Sequence, residues 1–310
     1  MGKKILITGA SGLIGSRLTE MLLQNDYQVS HLGRSKKSGH VTSYTWNVEK
    51  GELDREALEA DAIIHLAGAG VADKRWNEKR KREIRESRTK SSVLLFENLK
   101  HGKHPVKVVV SASAIGYYGA FLDERILTEE SSSGSDYLAQ VTGQWEEEVD
   151  KIGSLGIRVV KLRTGIVLSE KGGALAKMAM PVRYGIGAAL GTGKQYLSWI
   201  HIDDLCAMYI KAVEDQRMHG AYNAVCNWIT NEAMTRLIAG VLNKPLWLPA
   251  VPGFVLKIMV GEMAEIIVKG SKVSSDKIRK SGFIFRYPEM EDALKNLFKV
   301  FKRKSTPLEY

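Results

Sequence analysis

The sequence predicts a doubly wound α/β fold: a parallel sheet covered by helices on both faces, with a smaller, mainly helical cap toward the carboxyl end. Three observations carry this expectation. Strand-length apolar runs alternate with helix-patterned stretches through the first two thirds of the 310 residues. Those runs are rich in Val and Ile and lack polar alternation, the mark of strands buried on both faces. A glycine-rich turn directly follows the first of them, TGASGLIG at 8–15.

In order, KILIT (4–8), YQVSHL (27–32), VTSYTW (41–46), AIIHLAG (62–68), VKVVVSAS (106–113) and IRVVKLR (157–163) read as strands. Helical stretches lie between them near 13–25, 77–100 and 135–153. After residue 170 the rhythm changes. GGALAKMAMPVRYGIGAALGTGK reads as a glycine-rich loop, and WIHIDDLCAMYIKAVED (199–215) returns to strand then helix. Within it, Asp203 and Asp204 look like a helix N-cap, and His201 reads as structural. AYNAV (221–225) reads as one more strand, and the remainder is helical with breaks at Pro245, Pro249 and Pro252. The expected division is a dinucleotide-binding domain of residues 1–169 plus 198–226, and a substrate-side cap of 170–197 plus 227–310. Ligands of such sheets bind at the carboxyl edge, where the strand order reverses.

Composition narrows the class. The chain is 44% hydrophobic and 26% charged, ordinary for a soluble globular protein. A net charge of +10 invites a polyanion, although the lysines are dispersed and the tail KVFKRKSTPLEY reads as a solvated basic end. Cys206 and Cys226 make neither a disulfide framework nor a zinc motif, which fits a reducing cytoplasm, and no metal is expected. The apolar start is cut by Thr8, Gly9, Ser11 and Gly12, against a signal peptide. FVLKIMVGEMAEIIV is interrupted by Lys257, Glu262 and Glu265, against a membrane span.

Gly9, Gly12 and Gly15 stand in GxxGxxG spacing between strand and helix. One glycine turns the chain, one admits a pyrophosphate to the backbone, and one lets helix and strand pack; the helix N-terminus adds free N–H groups. Gly9, Ser11, Gly12, Leu13, Ile14 and Gly15 are therefore expected to hold a dinucleotide. Cofactor choice is read at the end of the second strand. There Arg34, Ser35, Lys36 and Lys37 stand with no acid in reach. Cations and a hydroxyl suit a 2′-phosphate, so the expected cofactor is NADP (NADPH).

TGASGLIG, HLAG (65–68), SAS (111–113) and WIHIDDL (199–205) together resemble an extended short-chain dehydrogenase/reductase with a Rossmann fold. RW (75–76), SR (87–88), SASAIGYYG (111–119), LRTGIVLS (162–169), LSWIHIDDL (197–205) and GFIFRYP (282–288) resemble one branch of it. That branch is the NAD-dependent epimerase/dehydratase-like family with a C-terminal domain of unknown function, sometimes labelled cell-division inhibitor. The resemblance spans essentially the whole chain. It implies that Leu66, Ala67 and Gly68 lie beside the cofactor's central phosphates and ribose. By the same resemblance Asn47 meets the adenine, Thr164, Gly165 and Ile166 meet the nicotinamide end, and Arg88 faces the cleft. Ser87 occupies the place where relatives carry an asparagine. The basic run RWNEKRKREIRESRTK interleaves Glu78, Glu83 and Glu86, so a solvated helix face explains it better than nucleic-acid binding.

Ordinary members of that superfamily use a tyrosine as acid, a lysine four residues on to lower its pKa, and a serine to hold the reacting oxygen. The resemblance aligns Tyr137 and Ser113 with the first and last as catalytic residues, but Val141 stands where the lysine belongs. Three readings stay open. One is an NADP-dependent oxidoreductase or epimerase acting on a small molecule, a carbonyl compound or nucleotide sugar, with Tyr137, Tyr117 or Tyr118 as a weakly activated acid. A second is a cofactor-binding sensor without turnover. The third is nucleic-acid binding on a retired fold. A monomer or homodimer is expected.

Overall fold

The computed structural model describes residues 2–36, 39–121 and 123–299. Lys37 and, from residue 300 on, the basic tail lie outside them. The first half contains β1 (Lys4–Thr8), α1 (Leu13–Gln24), β2 (Gln28–Gly33), β3 (Thr42–Asn47), β4 (Glu52–Leu53), β5 (Ala62–His65), α2 (Glu78–His101), β6 (Val108–Ala114), β7 (Ile126–Leu127) and α3 (Tyr137–Asp150). The sheet-completing part continues with β8 (Arg158–Thr164), β9 (Ile166–Leu168), α4 (Gly173–Arg183), β10 (Tyr196–His201), α5 (Ile202–Glu214) and β11 (Gly220–Ala224). The chain ends in β12 (Asn227–Thr230), α6 (Asn231–Val241), α7 (Gly253–Val260), α8 (Ala264–Val268), β13 (Lys272–Val273), α9 (Asp276–Lys280) and α10 (Met290–Leu297).

The main sheet runs β11-β8-β6-β5-β1-β2-β3-β4, parallel throughout except for the short edge strand β4. Apart from the edge strand β4, which was not expected, its strands coincide with the expected apolar runs to within a residue or two, except that only Ala62–His65 of AIIHLAG is strand. Alternation sends Ile5, Ile7, Ile64, Val110 and Leu162 to one face and Leu6, Ile63, Val109 and Val159 to the other. Leu18 and Leu22 of α1 and Leu205, Met208 and Tyr209 of α5 cover the first face. Leu94, Leu95 and Leu99 of α2 and Trp145 and Val149 of α3 cover the second. Both faces are dry, which is why these strands carry no polar alternation.

The cap is continuous with the first face: Leu175 of α4, Met234 and Ile238 of α6, and Ala293 and Leu294 of α10 join the same core. A second sheet, β12-β10-β9, forms its base. Two expectations need correction here. The stretch read as a loop after residue 170 contains α4, because Leu175, Ala179 and Val182 recur at helical spacing and bury together; its glycines lie only at the ends. The cap of α5 is His201 rather than Asp203 or Asp204: its Nδ1 accepts the Asp203 N–H at 3.1 Å.

The two aspartates are thereby free for longer contacts. Asp203 takes the Arg17 guanidinium of α1 at 2.7 Å. Asp204, buried, accepts the backbone N–H groups of Arg286 at 2.8 Å and Tyr287 at 3.1 Å. It thus pins GFIFRYP to the start of α5, and the Tyr287 ring lies 4.0 Å from that of His201. Asp204→Ala leaves two donors without their anion. It is expected to lower stability by about 2–4 kcal/mol, seen as a lower urea midpoint with an unchanged slope.

Candidate functional site: the carboxyl edge of the sheet

Strand order reverses between β1 and β5, so the chain leaves these neighbours in opposite directions and opens a crevice. Gly9 turns out of β1 at φ +66°, and a Cβ there would lie 2.7 Å from the Leu66 carbonyl oxygen. Only glycine fits on both counts. At Gly15 a Cβ would press on Ala10 Cα at 2.6 Å, so α1 sits tightly on its loop. Gly12 differs: apart from the Gly9 carbonyl at 3.3 Å, nothing crowds its missing side chain. It also caps α1 without any side-chain hydrogen bond, and no acid stands in the first turn. The amides of Leu13, Ile14 and Gly15 therefore begin a helix whose positive end faces open space beside exposed Ser11, a fitting cradle for a pyrophosphate.

The floor of this crevice is held by Thr8 and His65. The Thr8 hydroxyl accepts the Leu66 and Ala67 N–H groups at 3.1 and 3.2 Å and meets His65 Nδ1 at 2.8 Å. The far side of the ring touches the hydroxyls of Ser91 and Ser92 on α2, both at 3.3 Å. Burial pulls the His65 imidazole down to about 4, so it is neutral at physiological pH. This polar thread, invisible as a motif, ties β1, β5 and α2 together beneath Leu66–Gly68.

On the β2 and β3 side, Arg34, Ser35 and Lys36 are exposed behind β2, with no acid in that turn. Asn47 closes β3, and its side-chain Oδ1 accepts the Lys50 N–H at 3.2 Å. The basic start of α2 is not simply a solvated face. Arg80 is buried, donating to Glu83 at 2.6 Å and to the Gly70 carbonyl. Arg80 holds the Glu83 carboxyl below its ordinary range, with Lys74 and Arg34 adding to the pull.

The β6 and β8 side gathers the residues aligned with catalysis, yet each is engaged elsewhere. Ser113 is buried and donates to Glu146 Oε1 at 2.6 Å. Arg163 grips the same carboxylate with two bonds, 2.8 and 2.9 Å, and Lys161 lies 3.2 Å away. Burial pushes the Glu146 carboxyl up, but these cations and the serine overcome it and hold it below its ordinary range. Tyr137 donates to the Lys81 carbonyl at 2.5 Å and packs edge-on against Trp76 at 5.2 Å. Its burial raises the phenol, although Arg85, Arg88 and Lys81 pull the other way. Val141 is buried. Tyr118 donates to Asn223 at 2.7 Å, and burial pushes it up to about 12; the Tyr117 ring lies 3.5 Å under the Arg163 guanidinium.

Ser87 accepts the Ala69 N–H at 2.9 Å, and Arg88 donates to the Ala69 carbonyl at 3.0 Å, so both brace the segment after β5. Thr164 ends β8 with its hydroxyl on the Leu162 carbonyl at 3.1 Å. Gly165 passes so close to β10 that a Cβ would sit 2.5 Å from the Ser198 oxygen, and Ile166 opens β9. The residues that sequence reasoning missed are Glu146, His65 and Thr8. A lone acid in the apolar face of a helix was the available signal for Glu146.

Residues 5–224 match the NAD dependent epimerase/dehydratase family, and residues 251–297 match a domain of unknown function, DUF1731. The chain belongs to that family. It is 35% identical over 297 residues to the epimerase family protein YfhF of Bacillus subtilis, covering 94% of this chain and 97% of the relative. The SDR39U1 homolog of Arabidopsis thaliana, described as chloroplastic, is 35% identical over 94% of this chain and 85% of its own. Among solved structures, human epimerase family protein SDR39U1 with NADPH superposes with a TM-score of 0.86 at 28% identity, covering 96% of this chain and all of that one. Among the described residues, no helix is long and apolar enough to cross a membrane, and no cluster of three His, Cys, Asp or Glu residues is set to hold a metal ion.

The neutral His65 makes stability pH-dependent with a definite sign. Its folded pKa of about 4 lies below the ordinary 6.5, so between these values the unfolded chain binds more protons. Stability is therefore present above 6.5 and declines as the pH falls toward 4, by roughly 3 kcal/mol in full from this residue. Urea titrations between these limits are expected to show the decline, and His65→Gln to remove this residue's share of it, while His201, also lowered to about 4 by burial, keeps its own.

Proposed function

We propose that this chain binds NADP(H) across the carboxyl edge of its sheet and exchanges hydride with a small carbonyl or nucleotide-sugar molecule held beneath the C-terminal helices. The observation that carries the cofactor half is the open, uncapped start of α1 at Gly12 combined with a β2 turn that offers Arg34, Ser35 and Lys36 and no carboxylate. In this reading Gly9, Ser11, Gly12, Leu13, Ile14 and Gly15 hold the pyrophosphate, with Leu66, Ala67 and Gly68 alongside. Arg34 and Ser35 take the 2′-phosphate, and Asn47 has its amide N–H groups left for the adenine. Thr164, Gly165 and Ile166 border the far end. The human relative solved with NADPH supports the choice of cofactor. Bound NADPH would supply the hydride; the protein's part is to hold, orient and shield.

Proton supply does not follow the Tyr–Lys pattern. The Tyr137 hydroxyl would first have to leave the Lys81 carbonyl, Ser113 is held by Glu146, and Val141 brings no charge. That same engagement favours a second reading, in which the protein senses cofactor without turnover. NADPH oxidation assayed against a panel of carbonyl compounds and nucleotide sugars separates them, since only the first reading predicts consumption.

NADPH is expected to bind more tightly than NADH, and Arg34→Ala to remove most of the difference. One charge-assisted phosphate contact is worth on the order of tenfold to a hundredfold in affinity. Equal affinities in the unmodified protein, measured by calorimetry, would overturn the assignment. Val141→Lys, by contrast, is expected to lower the melting temperature without creating NADPH oxidation, because the new ammonium would be buried. A gain of reductase activity would show that Tyr137 is released and able to act as the acid.

A further inference from the structure

α2 turns a stripe of Ile84, Arg88, Ser91, Ser92 and Leu95 inward, and all but Arg88 are wholly or almost wholly buried. Arg88 places a full positive charge in that stripe. Its Nη1 donates to the Ile84 carbonyl at 2.8 Å and the Ala69 carbonyl at 3.0 Å. Its guanidinium carbon sits 5.3 Å over the Trp145 ring and 3.1 Å from where a Cβ on Gly68 would be. Among the described residues no carboxylate comes within ion-pair distance. Burial pulls the group down to about 10, so it stays protonated at neutral pH. A largely desolvated cation partnered by carbonyl dipoles and a ring face, with Arg80 near enough to repel it, is an incomplete arrangement.

Its position says what completes it. Tyr137, Val141 and Trp145 follow one another at i, i+4 and i+8 along one face of α3. Arg88 reaches that face from α2, lying over Trp145 while its field reaches Tyr137. A charge four residues after Tyr137 is thus absent from α3 itself but delivered to the same face from a neighbouring helix. Arg88 thus stands between Gly68, read above as lying beside the central phosphates and ribose, and the α3 face that carries Tyr137, which the family resemblance sets at the reacting end of the cofactor.

We infer that Arg88 is the relocated cation of the nicotinamide half of the site, and that its fixed charge makes this chain prefer reduced over oxidised cofactor. The inference rests on the NADP(H) reading above. The oxidised nicotinamide ring is cationic and the reduced ring neutral, so a buried guanidinium beside it penalises the oxidised form alone. A guanidinium acting on the phosphates would instead favour both forms alike.

The test measures dissociation constants for NADPH and NADP+ by calorimetry, with no turnover required. The unmodified protein is expected to bind NADPH on the order of tenfold more tightly than NADP+. Arg88→Met, which keeps an apolar stem over Trp145, is expected to bring the two constants together, and Arg88→Lys to preserve their ratio. An unchanged ratio in Arg88→Met, whether both constants weaken together or neither moves, overturns the inference. Should Arg88→Met fail to fold, the unmodified protein still decides: equal affinity for NADPH and NADP+ overturns it. Absence of binding by either form would instead sink the cofactor reading itself.

Discussion

The contact between Gly9 and the Leu66–Ala67 peptide is the constraint on which the rest of this molecule depends. Two neighbouring parallel strands must part in opposite directions, and their first residues beyond the sheet touch backbone to backbone. A side chain at residue 9 would have to displace main chain on β5 and adopt an unfavourable φ at the same time. Beneath that contact, the Thr8 hydroxyl accepts the Leu66 and Ala67 amides and the neutral His65 holds that hydroxyl in place. Buried amides without acceptors are costly, so the thread through Ser91 and Ser92 makes the crevice a rigid feature of the fold.

The other half of the crevice is organised by charge. Glu146 collects a serine from β6 and an arginine fork and a lysine from β8, the two strands that face its own helix α3. Removing one partner from so buried a group leaves an uncompensated charge, a far larger penalty than losing an exposed ion pair. The serine aligned with catalysis therefore serves the packing of this chain. Tyr137 is held in a similar way, its hydroxyl on a main-chain carbonyl and its ring on Trp76. Arg88 at this end has two carbonyl acceptors but, among the described residues, no carboxylate partner, and a cation so placed in a cleft points toward a charge-dependent choice of ligand.

The strands and principal helices of the sheet were legible because burial on both faces forces continuous Val and Ile runs, and these need no knowledge of neighbours. The α1 cradle was legible for a similar reason: glycine at 9, 12 and 15 answers local demands of turning and close approach. The loop reading of 172–194 failed at its start because glycines at helix ends look like glycines within loops until Leu175, Ala179 and Val182 are seen to share a surface. His201 was passed over as a cap because a histidine seldom takes that place, and Asp203 and Asp204 are the commoner choice.

Residue order was enough to set the α/β alternation and the glycine-rich loop, since each is a matter of spacing along one chain; that Val141 stands where relatives carry a lysine followed from the family resemblance. Residue order could not establish what the hydroxyls of Ser113 and Tyr137 bond to, nor that Arg88 of α2 lies over Trp145 of α3. Those partners lie tens of residues apart in the chain, at 33, 56 and 57 positions for Ser113–Glu146, Tyr137–Lys81 and Thr8–His65. Hydrogen bonds and desolvation depend on distances of a few ångströms in space, and only the packing of α2 and α3 against the sheet sets those.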